Sequence, residues 1–309
     1  MDPTEKKYDV AKLLRKSEYR IVSDYGSGDY CFDFIAGRKD EGKHLVIRVS
    51  EDVNQCSRQA IQDMKKLAVM IEGMPLLVSS KIGKKELESG IFYRKYGVFV
   101  VDEETLRLFL EEKNFPLIYA DKGGLYAKIN SEKLRMARRE RGLSLGELAQ
   151  KVGVSRKAIY EYERGNMDAS LDVALKLEEI LDTDLIEPIT KLSELVRLDI
   201  SKEKEKISDN ILSLLYDILS KAGFDIWIFR KTPFDMAARK EKKEKKVIAK
   251  NTRKALREYE LSILSEIADL VSACVFLIVK QKHGKNAEEV NEKVCVLSEQ
   301  TLHKIQEIL

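Results

Sequence analysis

The sequence has few of the residues that build metal centres and disulfide frameworks. Its 309 residues include four cysteines, three histidines and one tryptophan. The cysteines are scattered without a Cys-x-x-Cys pair, at Cys31, Cys56, Cys274 and Cys295. We therefore predict no structural metal site, no cofactor and no disulfide. Three of the thiols, in apolar runs, are expected to be buried and reduced: Cys31, Cys274 and Cys295.

Long apolar runs and the short motifs of common catalytic sites are also missing. No segment approaches the roughly 20 apolar residues that a membrane helix needs. The first residues, Met1 to Glu5, are charged and unlike a signal peptide, so we expect a cytoplasmic protein. The sequence contains no P-loop, no Gly-x-Ser-x-Gly elbow and no Gly-x-Gly-x-x-Gly after a strand, and we interpret Gly26-Ser27-Gly28 as a hairpin turn.

What the chain does have is a dense series of helix signals between residues 131 and 181. Ser144, with Glu147 three residues later, forms a capping box that starts a helix. Gly153 follows the last apolar position of that helix and supplies a left-handed turn, and Ser155 then caps a second helix. This spacing predicts two short helices joined by a tight turn, with the second beginning at Arg156.

The second helix has one apolar face and one polar face. Ile159 and Tyr162 are three residues apart and are predicted to face the core. The outward positions near its start are Arg156, Lys157, Tyr160 and Glu161. Because arginine can donate two hydrogen bonds to guanine, and lysine can donate to guanine or phosphate, we predict that these four residues contact base edges in the major groove of double-stranded DNA.

The surroundings of the two helices suit the DNA backbone. Between Lys128 and Gly165 there are ten Lys or Arg and five Glu, so this segment carries +5 while the whole chain carries +3. Four residues are predicted to contact phosphates, namely Ser144, Ser155, Arg138 and Arg164.

This stretch resembles the phage repressor and Cro (XRE-type) helix-turn-helix domain. The resemblance is carried by Leu134-x-x-Ala137-Arg138, Leu148-Ala149, Gly153-Val154-Ser155, Glu163-Arg164-Gly165 and a fourth helix capped by Ser170. It implies a central DNA-binding domain of four to five helices. The family often places glutamine where this chain has Leu145, so specificity is expected to depend on the second helix.

The segments on either side of this motif match each other in order, as an internal repeat. Residues 13–21, 45–48, 61–71, 76–78 and 97–106 correspond to residues 218–226, 246–249, 263–271, 276–279 and 293–302, and Asp33 corresponds to Asp235. Each flank reads as helix, three strands, helix, strand, strand and helix. The predicted fold class is therefore α/β plus all-α, with two repeated α/β units flanking the central helical domain.

The order of elements in each flank resembles the restriction-endonuclease-like fold of resolvases and restriction-type nucleases. That resemblance implies an acidic residue on one strand and Glu-x-Lys on the next, which together hold a divalent metal and orient water. Asp33 and Asp235 stand at the first position, but Arg48-Val49-Ser50 and Ala249-Lys250-Asn251 replace Glu-x-Lys. We predict that both flanks are catalytically degenerate and that the protein is not an enzyme; a metal-dependent DNA nuclease is the enzymatic alternative.

Five segments follow from these observations. They are a nuclease-like domain at 1–114, a hairpin at 115–130, the helix-turn-helix domain at 131–190, a linker at 191–207 and the second nuclease-like repeat at 208–309. The hairpin is interpreted as a rigid spacer or as a wing on DNA phosphates. The basic run Arg239 to Lys246 is interpreted as a solvated loop, with phosphate contact as the alternative.

The complete layout resembles a family of archaeal helix-turn-helix transcriptional regulators of about this length. The resemblance implies a sequence-specific DNA-binding regulator of transcription. A non-catalytic adaptor that bridges DNA to the transcription apparatus is a further alternative. Because one such domain contacts few base pairs, we expect a homodimer that reads two half-sites, although the two repeats could instead pair within one chain.

Overall fold

A computed structural model of the chain describes residues 3–23, 30–38, 44–111, 116–189, 207, 209–240, 245–252, 258–279, 289–291 and 294–305. The predicted turn at residues 26–28 and the predicted linker, apart from Ile207, lie outside these residues. The chain divides into two compact units, Met1–Val78 with Arg197–Leu309, and Ser79–Val196. Residues 79–114, which the sequence grouped with the first flank, thus group with the helix-turn-helix residues.

The helices of the described residues are α1 (Pro3–Lys16), α2 (Arg58–Met70), α3 (Glu103–Glu111), α4 (Ser131–Glu140), α5 (Leu145–Val152), α6 (Arg156–Glu163), α7 (Leu171–Leu181), α8 (Asn210–Lys221) and α9 (Glu258–Val271), with short 3₁₀ turns at Val53–Gln55 and Glu299–Lys304. The strands are β1 (Arg20–Ser23), β2 (Phe34–Gly37), β3 (His44–Asp52), β4 (Gly73–Ile82), β5 (Lys85–Glu86), β6 (Phe92–Lys95), β7 (Val98–Val101), β8 (Ile118–Asp121), β9 (Gly124–Ala127), β10 (Ala169–Ser170), β11 (Asp225–Ile228), β12 (Met236–Lys240), β13 (Lys245–Thr252), β14 (Ala273–Val279), β15 (Glu289–Asn291) and β16 (Val294–Ser298). In the part of the chain that the structure describes, no helix is both long and apolar enough to span a bilayer.

The first unit contains strands of two sheets, and each set begins with an antiparallel meander of three strands. Strands β1, β2 and β3 form an antiparallel meander with β4 next in order, and the second sheet runs β11-β12-β13-β14-β16-β15. Strands β11, β12 and β13 are again an antiparallel meander, followed by the parallel strands β14 and β16. Near-continuous runs of buried residues line the central strands, and Phe34, Ile47, Met236 and Phe276 are among the fully buried ones.

The N-terminal and C-terminal parts of the first unit pack directly on each other. The side chain of Asp63 on α2 is fully buried, and its Oδ2 accepts the backbone N–H groups of Arg230 and Lys231 at 2.8 Å each. Lys66, one turn further on, donates from Nζ to the carbonyl oxygen of Ile228 at 2.9 Å. The two flanks therefore contact each other within one chain.

The described part of the basic run 239–246 takes part in this packing. The guanidinium of Arg239, whose side chain is 12% exposed, donates to the Val69 carbonyl at 3.0 Å and pairs with Glu72 at 3.3 Å. Lys246 also lies near Glu72, at 3.8 Å, and Lys240 donates to the carbonyl oxygen of Ala222. These three cations have partners inside the unit. Neither the interpretation as a solvated loop nor the interpretation as a phosphate contact anticipated those partners. Residues 241–244 of the run lie outside the described residues.

Burial of the cysteines follows the prediction only in part. Cys31 is buried, whereas Cys295 is half-buried and Cys274, the second residue of β14, is exposed. The expectation for Cys274 was wrong because successive strand residues point to opposite faces of the sheet, and Cys274 is exposed between the buried Ala273 and Val275.

The second unit joins a sheet to the helix-turn-helix domain. Its strand order is β7-β6-β8-β9-β10, with β8 parallel to β6 and β9 antiparallel to both β8 and β10. The predicted hairpin is therefore internal to a sheet and pairs with strands on both sides. Strand β10 leads directly into α7, and helices α4 to α7 enclose a core that includes Leu134, Leu148, Ile159 and Leu177.

Candidate nucleic-acid interface

Helices α5 and α6 and the turn between them follow from local interactions that the sequence predicted. The Ser144 hydroxyl accepts the Glu147 N–H at 3.2 Å, and Glu147 accepts the Ser144 N–H at 2.8 Å. This bond from the Ser144 backbone lowers the pKa of Glu147 below its ordinary value. Gly153 ends α5 in the left-handed conformation, at φ 86°, and its N–H donates to the Ala149 carbonyl at 2.9 Å. The turn directs the chain straight into α6.

Helix α6 presents the predicted face to solvent. Ser155 caps it by accepting the Ala158 N–H at 3.1 Å. Ile159 is fully buried and Tyr162 is 6% exposed. Arg156 and Lys157 are exposed at the first turn, and within the described residues neither side chain has a hydrogen bond or an ion pair. Both cations are therefore available to a ligand at the amino end of the helix.

The other two predicted base-contacting residues are held by the segment after α6. The Tyr160 hydroxyl accepts a hydrogen bond from Arg164 at 3.0 Å, and the Arg164 guanidinium lies 5.4 Å from the centre of the Tyr160 ring. Glu161 is half-buried and accepts from the Asn166 side-chain amide at 2.8 Å. Arg164, which was predicted to contact a phosphate, thus positions Tyr160, which was predicted to contact a base. Sequence reasoning missed Asn166, for which no periodic pattern gives a signal.

Arg138, another predicted phosphate contact, forms an internal ion pair. Its guanidinium donates to both carboxylate oxygens of Glu163, one of them at 3.0 Å, and to the Leu143 carbonyl at 2.7 Å. The side chains of Arg138 and Glu163 are only 11% and 8% exposed. The pair raises the pKa of Arg138. This arrangement connects α4 to the end of α6 and leaves the guanidinium largely covered.

The serines at the helix starts remain able to contact a phosphate. Ser144 and Ser155 are exposed, and each hydroxyl oxygen accepts a backbone N–H while its proton can still be donated. Ser170 also occupies the N-cap position of α7, but its side chain makes no capping hydrogen bond. The backbone of Ser170 is instead paired with Tyr126 in the sheet.

The first nuclease-like position, Asp33, lies among cations. Its carboxylate is 2% exposed, pairs with the Lys7 ammonium at 2.6 Å, lies 3.6 Å from Arg48 Nε and accepts the Val49 N–H at 2.7 Å. Asp52, near the missing Glu-x-Lys, accepts the Asn54 N–H at the start of the 3₁₀ turn. A divalent metal needs several carboxylate oxygens. The Asp33 carboxylate is instead paired with Lys7 and lies beside Arg48, and the part of the chain that the structure describes offers no second acidic ligand in place of the missing Glu-x-Lys glutamate, so these residues do not fit the metal that the fold family implies.

Asp235, the predicted counterpart of Asp33 in the C-terminal half, makes the same pattern of hydrogen bonds. Asp33 donates its N–H to Ile47 at 2.7 Å and accepts from Val49, and Asp235 donates to Ala249 at 3.0 Å and accepts from Asn251 at 2.8 Å. Lys250 pairs with Asp235 at 3.2 Å. Among the described residues, no cluster of three His, Cys, Asp or Glu side chains could hold a metal ion.

Known proteins match both parts of the chain. A family model described as a PD-(D/E)XK superfamily domain matches residues 6–116, and one described as helix-turn-helix matches residues 134–187. The "Putative HTH-type transcriptional regulatory protein TK0539" of Thermococcus kodakarensis is 32% identical over 301 residues, covering 96% of this chain and 91% of that protein. Its counterpart MJ1164 of Methanocaldococcus jannaschii is 31% identical over 307 residues, covering 96% and 93%.

A solved structure is similar over a shorter stretch. The restriction-modification controller protein C.AhdI of Aeromonas hydrophila is 37% identical over 21% of this chain and 88% of its own, with a TM-score of 0.17. The archaeal relatives, in contrast, match nearly the full length of both chains. This chain therefore belongs to the family of archaeal HTH-type transcriptional regulatory proteins.

Proposed function

We propose that this chain regulates transcription by sequence-specific binding of double-stranded DNA, with α6 in the major groove. The observation that carries the proposal is the face of α6: Arg156 and Lys157 are exposed while Ile159 and Tyr162 anchor the helix in the core. Arg156 and Lys157 supply hydrogen-bond donors for guanine, and Tyr160 and Glu161 add packing and discrimination. Ser144, Ser155 and Arg164 contact phosphates beside them.

The test measures DNA binding after removal of the two free cations. A preferred site is first selected from random duplex DNA, and affinity is then measured against salt concentration for Arg156→Ala with Lys157→Ala. Loss of two contacts is expected to weaken binding to the preferred site by at least about 30-fold and to reduce the slope of log K against log salt by up to about 2.

A matched control removes the same charge elsewhere. Lys176 on α7 and Lys221 on α8 are exposed, so Lys176→Ala with Lys221→Ala also lowers the net charge by two. We expect this variant to keep both the affinity and the salt slope. Unchanged binding of the Arg156→Ala, Lys157→Ala variant to its best site would show that α6 is not the reading helix.

We further propose that two chains bind one DNA site as a homodimer. Each chain carries one helix-turn-helix domain, and a two-fold pair of such domains would read half-sites about 34 Å apart. Light scattering with and without a selected duplex tests this stoichiometry. A single chain per duplex at saturation would contradict it.

The C-terminal α/β part is proposed to be a second copy of the N-terminal one, and neither copy is proposed to cut DNA. The matching hydrogen bonds of Asp33 and Asp235 support the repeat. Both carboxylates are paired with lysines, and in the described residues no cluster of acidic ligands lies beside them, which argues against a metal. Incubation of supercoiled DNA with Mg²⁺ should leave it intact. Nicking by the wild type that is lost in both Asp33→Asn and Asp235→Asn would establish the nuclease alternative.

A further inference from the structure

The segment that follows the recognition helix is attached to the sheet of the second unit. Only five residues, Arg164 to Asp168, separate the end of α6 from strand β10. Ala169 in β10 is fully buried and pairs with Ala127 of β9, which continues the sheet through β8 to β6. The position of this five-residue segment therefore depends on the sheet as well as on α6.

A polar cluster strengthens that attachment. The hydroxyl of Tyr119 on β8, a residue 5% exposed, donates to Oδ2 of Asp168 at 2.9 Å. Arg94 of β6 donates from Nε to Asp121 at 3.0 Å, and its guanidinium lies 5.6 Å from the centre of the Tyr119 ring. The rings of Tyr119 and Tyr126 are stacked, with their centres 5.7 Å apart. Arg94, held by Asp121, and Tyr126 therefore position the Tyr119 ring whose hydroxyl donates to Asp168.

The attached segment in turn holds two side chains of α6. Arg164 contacts the hydroxyl and ring of Tyr160, and Asn166 donates to Glu161. The sheet is therefore connected to these two residues by the Tyr119–Asp168 hydrogen bond, by the short backbone from Arg164 to Asp168, and by the contacts of Arg164 and Asn166. Arg156 and Lys157, at the opposite end of α6, have no part in it.

We propose that Tyr119, oriented by Arg94, is a positioning residue for DNA recognition: through Asp168 it sets the segment that presents Tyr160 and Glu161 to the bases. The proposal rests on the proposed function of α6. It also gives the nuclease-like sheet a role that requires no catalysis, because β6, which carries Arg94, lies within the residues matched to the PD-(D/E)XK model. A ligand or partner that shifted this sheet would alter discrimination between DNA sequences.

The test separates sequence discrimination from general affinity. Tyr119→Phe removes only the hydroxyl that reaches Asp168. Its binding to a selected duplex is expected to fall about tenfold, the usual effect of losing a hydrogen bond to a charged group, while binding to a scrambled duplex and the salt slope stay unchanged. Asp168→Ala should reproduce this loss, and the double variant should be no worse than either single one.

Two variants serve as controls. Tyr126→Phe removes a hydroxyl from the same aromatic pair, but that hydroxyl faces the Lys122 carbonyl at 3.4 Å, within the hairpin turn. Asp168→Asn retains an oxygen that can accept from Tyr119. Tyr126→Phe is expected to discriminate as the wild type does. Asp168→Asn, which keeps a neutral hydrogen bond to Tyr119, is expected to lose less discrimination than Asp168→Ala. Circular dichroism of each variant before the binding measurements identifies any that fail to fold.

The outcomes differ for this proposal and for the function on which it rests. If the wild type prefers no duplex, the proposed function of α6 fails. If the wild type discriminates and Tyr119→Phe and Asp168→Ala discriminate equally well, α6 reads DNA without this attachment and the positioning role is refuted. An equal loss in Tyr126→Phe would also refute it, because the effect would then belong to the aromatic pair in general.

Discussion

The ion pair between Arg138 and Glu163 provides a decisive perturbation, because sequence reasoning and the structure assign Arg138 different roles. As a phosphate contact, Arg138 would matter only when DNA is bound. As part of an ion pair whose two side chains are only 11% and 8% exposed, Arg138 would matter for the folding of the domain itself. Arg138→Ala leaves the Glu163 carboxylate covered by protein without its cation and also removes the bond to the Leu143 carbonyl.

The expected magnitude follows from this burial. Breaking a buried pair by removing one partner costs about 3–5 kcal/mol, whereas replacing both partners with apolar residues of similar size is often neutral. Arg138→Ala should therefore lower the free energy of unfolding of the helical domain by about 3–5 kcal/mol. Arg138→Met combined with Glu163→Leu should lie within about 1 kcal/mol of the wild type.

Hydrogen exchange of the amides in α4 and α6 measures this local stability. DNA titrations at several salt concentrations measure whether Arg138 contacts a phosphate. Arg135→Ala is the matched control, since Arg135 on the same helix pairs with Glu132 at 3.8 Å with 46% and 76% of the two side chains exposed. Its effect on unfolding should be below about 1 kcal/mol. If Arg138→Ala kept the hydrogen-exchange protection of the wild type and reduced the slope of log K against log salt by about 1, the structural role of Arg138 would be refuted.

Other predictions test the turn, the capping box and the pairing of the flanks. Gly153→Ala should destabilise the domain by about 1–2 kcal/mol because its φ of 86° is unfavourable for a side chain, whereas Gly146→Ala, inside α5, should stabilise it by up to about 1 kcal/mol; equal melting temperatures would contradict this. The pKa of Glu147 is lowered, so its stabilising effect is present above the ordinary pKa of 4.5 and is lost as pH falls through the lowered value. Thermal unfolding of Glu147→Gln between about pH 3 and pH 6 should therefore show a weaker pH dependence than the wild type. Asp63→Ala should lower the unfolding free energy of the first unit in urea by about 3 kcal/mol, because two backbone N–H groups lose the fully buried carboxylate that accepts from them. A change below about 1 kcal/mol would show that water replaces it.

The features that sequence reasoning recovered are those determined by neighbouring residues. Ser144 and Glu147 cap each other across three residues, and the left-handed turn at Gly153 needs no distant partner. The alternation of Ile159 and Tyr162 with polar positions likewise reports which face of α6 is buried. Local geometry of this kind is encoded within a few residues.

Contacts between distant segments could not be predicted in the same way. Arg138 looks like a surface cation of α4 because its partner Glu163 lies 25 residues further on. Asp63 binds backbone N–H groups at Arg230 and Lys231, and a backbone group carries no residue identity for a pattern to detect. Such pairs become visible only when the fold brings the segments together.

The internal pairing of the two α/β parts changes what a dimer of this protein must use. Asp63, Lys66 and Arg239 are engaged between the halves of one chain, so this surface is already covered before a second chain arrives. One chain still offers only one α6 to DNA. If two chains bind a two-fold site, they must associate through residues outside this pairing, and Asp63→Ala should then weaken folding of each chain without preventing the assembly of those that fold.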